Sequence, residues 1–152
     1  MREYKNDDLI VYWFPETCAH PGTCLRMLPE VFDLDRRPWV DINAAEPEEI
    51  IRCIECCPSG ALRYALPEGS KVDPALAEGV NHIDYEKHNP GLVKIRAMKR
   101  GPLLVEGAAD IIRPDGQLIK SGGRLALCGC GKSENCPFCD GSHFRSRAGG
   151  NK

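Results

Sequence analysis

Nine cysteines and four histidines are the residues of this chain that could do metal chemistry, and the cysteines fall into two tight groups. Five lie between Cys18 and Cys57, four lie between Cys128 and Cys139, and none lies between Pro58 and Leu127. A disulfide framework usually spreads cysteines through a small secreted chain. Here the total is odd, and the charged opening from Met1 to Asp8 carries no export signal. That combination points to thiolates holding metal in a reducing cytoplasm. Two separate metal centres are the expectation, one toward each end.

The C-terminal group is the denser. Cys128-Gly129-Cys130 sets two thiolates almost side by side, and Cys139-Asp140-Gly141-Ser142-His143 adds a third thiolate and an imidazole. If Asp140 caps a helix, Cys139 and His143 stand four residues apart on one face. Three thiolates and one imidazole suit either a zinc ion or a 2Fe-2S cluster. Gly129, Gly131 and Gly141 would let backbone amides approach inorganic sulfide. The string from Cys128 to His143, with the β-rich segment before it, resembles the CDGSH iron–sulfur family over roughly residues 92–144. That resemblance implies a 2Fe-2S cluster with Cys128 and Cys130 on one iron and Cys139 and His143 on the other. It also implies an intertwined homodimer with one such cluster per protomer, unless the N-terminal unit covers the same surface. Cys136 falls outside the ligand pattern and reads as a free thiol. An imidazole must be neutral to bind iron, so the cluster should be acid-labile, and its neutral ligand should raise the potential.

The N-terminal group is Cys18, Cys24 and, after an expected helix, Cys57-Pro58. A cysteine followed by proline at a helix end, feeding a strand, is similar to the last ligand of a bacterial ferredoxin, whose first run is Cys-x2-Cys-x2-Cys. The middle slot here holds Pro21. The pattern therefore resembles divergent single-cluster ferredoxins that keep three cysteines, over roughly residues 9–66. Three thiolates fit a 3Fe-4S cluster, whereas a 4Fe-4S cluster needs a fourth donor, for which His20 and Cys53 are the candidates. The plainer readings are a loop residue for His20, a buried thiol for Cys53 and a partly exposed thiol for Cys56. His82 and His88 read as solvated.

The elements that must position these residues are short. Residues 9–14 and 61–66 read as strands that pair, and Leu25, Leu28 and Phe32 predict a short helix. Glu46-Pro47-Glu48-Glu49 opens a second helix that turns Ile50, Ile51 and Ile54 inward and ends near Cys57 because Pro58 follows. Residues 67–90, rich in proline and charge, read as a linker. Beyond them the pattern is β: Val93, Ile95 and Ala97 alternate, Leu103–Val105 and Ile111–Ile112 are apolar runs, and Asp115-Gly116 is a hairpin turn. The tail from Arg145 reads as disordered. The expected fold class is α+β, with a ferredoxin-like unit at 9–66, a linker at 67–90 and a mostly β CDGSH-type domain at 91–148.

The chain has 152 residues, with 20 basic against 22 acidic side chains. That balance disfavours a nucleic-acid binder, and no apolar run approaches a membrane span. No nucleotide-binding glycine pattern, nor nucleophile with an obvious base, argues for an enzyme. The leading expectation is a cytoplasmic, non-catalytic carrier of electrons between redox partner proteins. The alternative is cluster storage, sensing or transfer to an apo-acceptor. A colourless zinc-binding interaction module is the third reading.

Overall fold

The first sheet is built around an apolar strand that the chain enters and leaves by turns. In the computed structural model, which describes residues 1–85 and 91–148, β1 (Arg2–Lys5), β2 (Ile10–Trp13) and β3 (Leu62–Ala65) form an antiparallel sheet in that order. The expected pairing of the two apolar strands is present, with Val11 opposite Tyr64. β1 is unexpected. The charged opening shows no apolar alternation that predicts a strand, yet charge is what an edge strand tolerates. Asn6 makes the turn, its side-chain oxygen accepting from the amides of Asp8 at 3.0 Å and Leu9 at 2.9 Å.

α1 (Thr23–Met27) is shorter than the apolar spacing predicts. Pro29 disfavours helical geometry at Leu28, whose φ of −144° ends the helix, and Phe32 instead bridges Val40. α2 (Pro47–Glu55) starts with proline and two glutamates and buries Ile50, Ile51, Cys53 and Ile54. Its face packs with Leu9, Val11, Val31, Phe32, Leu62 and Tyr64, each 1% exposed or less.

Residues 67–85 do not form the free linker their composition predicts. Val72 and Ala77 enter the N-terminal core. The Tyr64 amide donates to the Asn81 carbonyl at 3.1 Å, and the Ile83 amide donates to the Tyr64 carbonyl at 2.8 Å. His82, expected to be solvated, is half-buried, its ring edge-on to Tyr64 with centroids 5.5 Å apart. His88 lies outside the described residues. Asn81 is fully buried and donates to the carbonyls of Ile54 at 2.7 Å and Cys57 at 3.1 Å, adding to the bond that Ile54 accepts from the Cys57 amide at 2.8 Å where α2 ends. Asn81→Ala is expected to cost about 1–3 kcal/mol of stability by removing both of these hydrogen bonds. Denaturant unfolding checks this, and a midpoint equal to that of the parent chain would refute it.

The second sheet orders β4 (Lys94–Ala97), β5 (Leu103–Ile112) and β6 (Leu118–Leu127), all antiparallel. The two apolar runs expected as separate pieces are one strand, broken in register between Glu106 and Ala109 where Gly107 has φ +120°. Asp115-Gly116 turns the hairpin as expected, with the Arg113 amide donating to the Gln117 carbonyl at 2.8 Å. α3 (Ser142–Ala148) continues through residues expected to be disordered.

The two sheets are locked together by two arginines. Arg63, 4% exposed, donates to the carbonyls of Gly60 at 3.3 Å and Ser121 at 3.1 Å. Arg124 on β6 donates to the Glu55 carbonyl and, at 3.4 Å, to the Cys57 carbonyl, while its other nitrogen meets Glu106 at 2.7 Å. Lys120 lies 3.8 Å from the centroid of the Phe14 ring.

Candidate metal centres

In the N-terminal unit each of the three expected thiols sits where a local break in structure puts it. Cys18 closes the 3-10 turn Pro15–Thr17, its amide donating to Pro15. Cys24 lies in the first turn of α1, and Cys57 follows the end of α2. All three line one cavity of about 320 Å³, whose other walls include Trp13, Leu25, Leu34, Trp39 and Leu62. His20 lines it as well; Cys53 does not.

Cys53 is 3% exposed and packs in the apolar core. The spacing that would put it on one helical face with Cys57 fails because α2 has ended at Glu55. Its sulfur lies 4.0 Å from the Cys24 carbonyl, and burial pushes its thiol up to about 12. Cys56 is exposed and lies on a separate cleft with Lys94, Arg96 and Arg124.

The cavity's electrostatics fit a cationic occupant. Burial pushes the Cys18 thiol up to about 11, against a hydrogen bond from the His20 amide that lowers it, and the Cys57 and Cys24 sulfurs push it further up. Cys24 is raised by burial and then by Cys57. Three thiolates in an apolar cavity repel one another unless positive charge lies among them, which iron supplies. The indole N–H of Trp39, also on the cavity wall, is buried with no hydrogen-bond partner among the described residues. A cluster sulfide is an acceptor of the kind that such a donor needs.

In the C-terminal unit the four expected ligands form two pairs. Cys128 and Cys130 have sulfurs 3.8 Å apart at the end of β6. Cys139 and His143 have Sγ and Nδ1 3.4 Å apart, both residues buried. Asp140 arranges the second pair: its carboxylate accepts from the Ser142 amide at 2.9 Å and the Glu134 amide at 3.0 Å. The Ser142 hydroxyl and amide hold that carboxyl well below the usual carboxylate range. Against burial, which raises it, backbone amides of Ser133, Cys130 and Gly131 bring the Cys128 thiol down to about 7. Those amides favour the thiolate that a metal requires. Cys136 is exposed, its thiol 3.5 Å from the Ser133 carbonyl.

The two centres meet at one residue. Ala19, next to Cys18, packs with Ala126 and Cys139. Gly141 permits this approach, since a Cβ there would lie 3.0 Å from the Ala19 carbonyl oxygen and 3.6 Å from the His20 Cβ. The Asn135 side-chain Nδ2 also donates to the Glu16 carbonyl. Neither Ala19 nor Arg124 carries a sequence signal for this role, because both act through contacts between distant segments.

Thiols ringing an apolar cavity, beside paired thiols and an imidazole, define an iron–sulfur protein. Residues 4–67 match the family described as a divergent 4Fe-4S mono-cluster, and residues 100–144 match the iron-binding zinc finger of CDGSH type. The chain is 35% identical over 63 residues to "Uncharacterized protein YjdI" of Escherichia coli (strain K12). The match to its counterpart in Escherichia coli O157:H7 has the same identity and length. Each match covers 41% of this chain and 83% of the relative. The chain belongs to the divergent 4Fe-4S mono-cluster family and carries a CDGSH-type iron-binding domain after it. No solved structure matches the chain. Among the described residues no helix is long and apolar enough to cross a membrane.

Proposed function

We propose that this protein is a non-enzymatic electron carrier with two clusters that exchange electrons internally. The C-terminal cluster is 2Fe-2S on Cys128, Cys130, Cys139 and His143. The N-terminal one is 3Fe-4S or 4Fe-4S on Cys18, Cys24 and Cys57. The observation that carries the reading is the packing of Ala19 in one cluster with Ala126 and Cys139, which sets the ligand loops of the two centres close to each other. Electron tunnelling falls steeply with distance, so two centres joined by packed ligand loops serve transfer better than two on a free tether.

When bound, such clusters supply reversible one-electron chemistry. The chain's residues set its terms. Trp13 and Trp39 give the N-terminal site apolar walls. Amides of Ser133, Cys130 and Gly131 directed at the Cys128 sulfur, with the neutral His143, favour a higher potential for the C-terminal one.

Partial exposure of Cys128 and Cys130 favours a second reading, in which the C-terminal cluster is handed to an apo-acceptor. We also propose a homodimer. It is supported by β4, all four of whose residues are exposed, including Ile95, on the edge of the second sheet. The N-terminal unit already covers Leu104 and Ala126 of that sheet through Ala19.

The test is iron, sulfide and zinc per chain after anaerobic purification, with electron paramagnetic resonance before and after reduction. About five or six irons are expected, falling to about two in Cys57→Ala. Repeated reduction and reoxidation without iron loss supports the carrier. Iron transfer to an apo-ferredoxin supports the donor reading, and zinc without colour overturns both.

A further inference from the structure

We propose that His20 is the fourth protein ligand of the N-terminal cluster, making it a four-iron centre held by three thiolates and one imidazole. The inference rests on reading the Cys18–Cys24–Cys57 cavity as a cluster site and adds the ligand that three cysteines leave open.

Apart from the three cysteines, His20 supplies the strongest metal donor on the cavity wall; the Thr23 hydroxyl is a weak one and the remaining walls are chiefly apolar. The backbone at His20 has φ +53°, a left-handed conformation uncommon for a residue with a side chain. Gly22 is also left-handed, at φ +69°, so the loop between Cys18 and Cys24 folds back on itself around Pro21. Two contacts hold it there: the His20 amide lies 3.4 Å from the Cys18 sulfur, and the Arg26 guanidinium donates to the Pro21 carbonyl at 2.8 Å. Strain retained beside a candidate metal site is a structural reason to assign function.

The spacing agrees. Position 21, the middle ligand slot of a Cys-x2-Cys-x2-Cys run, holds a proline that cannot ligate. An imidazole reaches farther from its Cα than a thiol does, so a histidine one position earlier can serve the same metal corner. The competing thiols are placed elsewhere. Cys53 is buried in the core off the cavity, and Cys56 faces another cleft. His20 also stands on the side facing the second centre, where its Cβ is 3.6 Å from the Cβ position of Gly141.

The test uses the full chain carrying His143→Cys, which removes the other expected imidazole ligand, with and without labelling of histidine by nitrogen-15. Pulsed electron paramagnetic resonance of the reduced N-terminal cluster is expected to show a strongly coupled histidine nitrogen that changes with the isotope and disappears in His20→Ala. In the parent chain, His20→Ala is expected to lower iron at this site from about four to about three and replace the spectrum with that of a three-iron cluster. His20→Cys is expected to retain about four irons without the nitrogen coupling. An N-terminal cluster whose iron count and spectrum ignore His20→Ala overturns the assignment to His20 alone. A parent chain with only about two irons, lost on Cys139→Ala and not on Cys57→Ala, overturns the cluster reading of the cavity and His20 with it.

Discussion

His143→Cys is expected to keep the C-terminal cluster intact in acid that strips it from the parent chain. Imidazole binds iron only in its neutral form, and its ordinary pKa is about 6.5. The sign follows directly. As the pH falls, protonation of a His143 that held iron would remove its donor lone pair, and the Cys139–His143 pair would lose one of its two members. A thiolate in its place binds iron through a negative sulfur and tolerates acid better. It also adds negative charge to the site, so the potential falls. The pH of half-loss, followed by visible absorbance, should drop by about one unit or more. Equal acid lability in the two chains would show that another ligand controls release. His143 is 7% exposed, so the fold of the variant should be checked by far-ultraviolet circular dichroism.

Gly60→Ala is expected to separate the two units while leaving both ligand sets complete. Gly60 has φ +63°, and a Cβ there would lie 2.3 Å from the backbone carbonyl oxygen of Arg124 and 3.3 Å from its carbon. The obstacle is backbone, so no side-chain rotation relieves it. Moving β6 away also loosens the bonds from Arg124 to the Glu55 and Cys57 carbonyls, and from Arg63 to Ser121. A cost of about 2–4 kcal/mol is expected from strain, overlap and lost hydrogen bonds together. Gly69→Ala is the control, since Gly69 has φ +83° but nothing within 4 Å of its Cβ position. It should show the backbone strain alone, about 1 kcal/mol. Denaturant unfolding measures the stability, and magnetic broadening between the reduced clusters measures their separation. If Gly60→Ala behaves like Gly69→Ala, the junction is not where the geometry puts it.

Much of the molecule is legible in local pattern. Proline and glutamates mark the start of α2, and Cys57-Pro58 marks its end, because both signals act within one helical turn. The Asp115-Gly116 turn and the pair Cys139–His143 are likewise local, separated by at most four residues. The failures have a common cause. Residues 67–85 have the composition of a linker, yet Val72, Ala77 and Asn81 find partners in a core formed by segments far away along the chain. β1 is hidden because its residues are charged, and its pairing depends on β2 rather than on its own apolar pattern. The bulge at Gly107 joins two apolar runs into one strand only when β6 is alongside.

By itself, then, the sequence determined the donor types and their division into two centres. Thiolate and imidazole chemistry depends on residue identity and close spacing, and the chain specifies both directly. Only the tertiary structure decided which cysteines share a cavity, that Cys53 is core, and that Ala19 brings the two centres together. Those outcomes depend on where a helix stops, on which glycines let backbones approach, and on arginines that bridge residues dozens of positions apart. Such long-range contacts form when distant surfaces pack, and no local window of the sequence contains both sides of them.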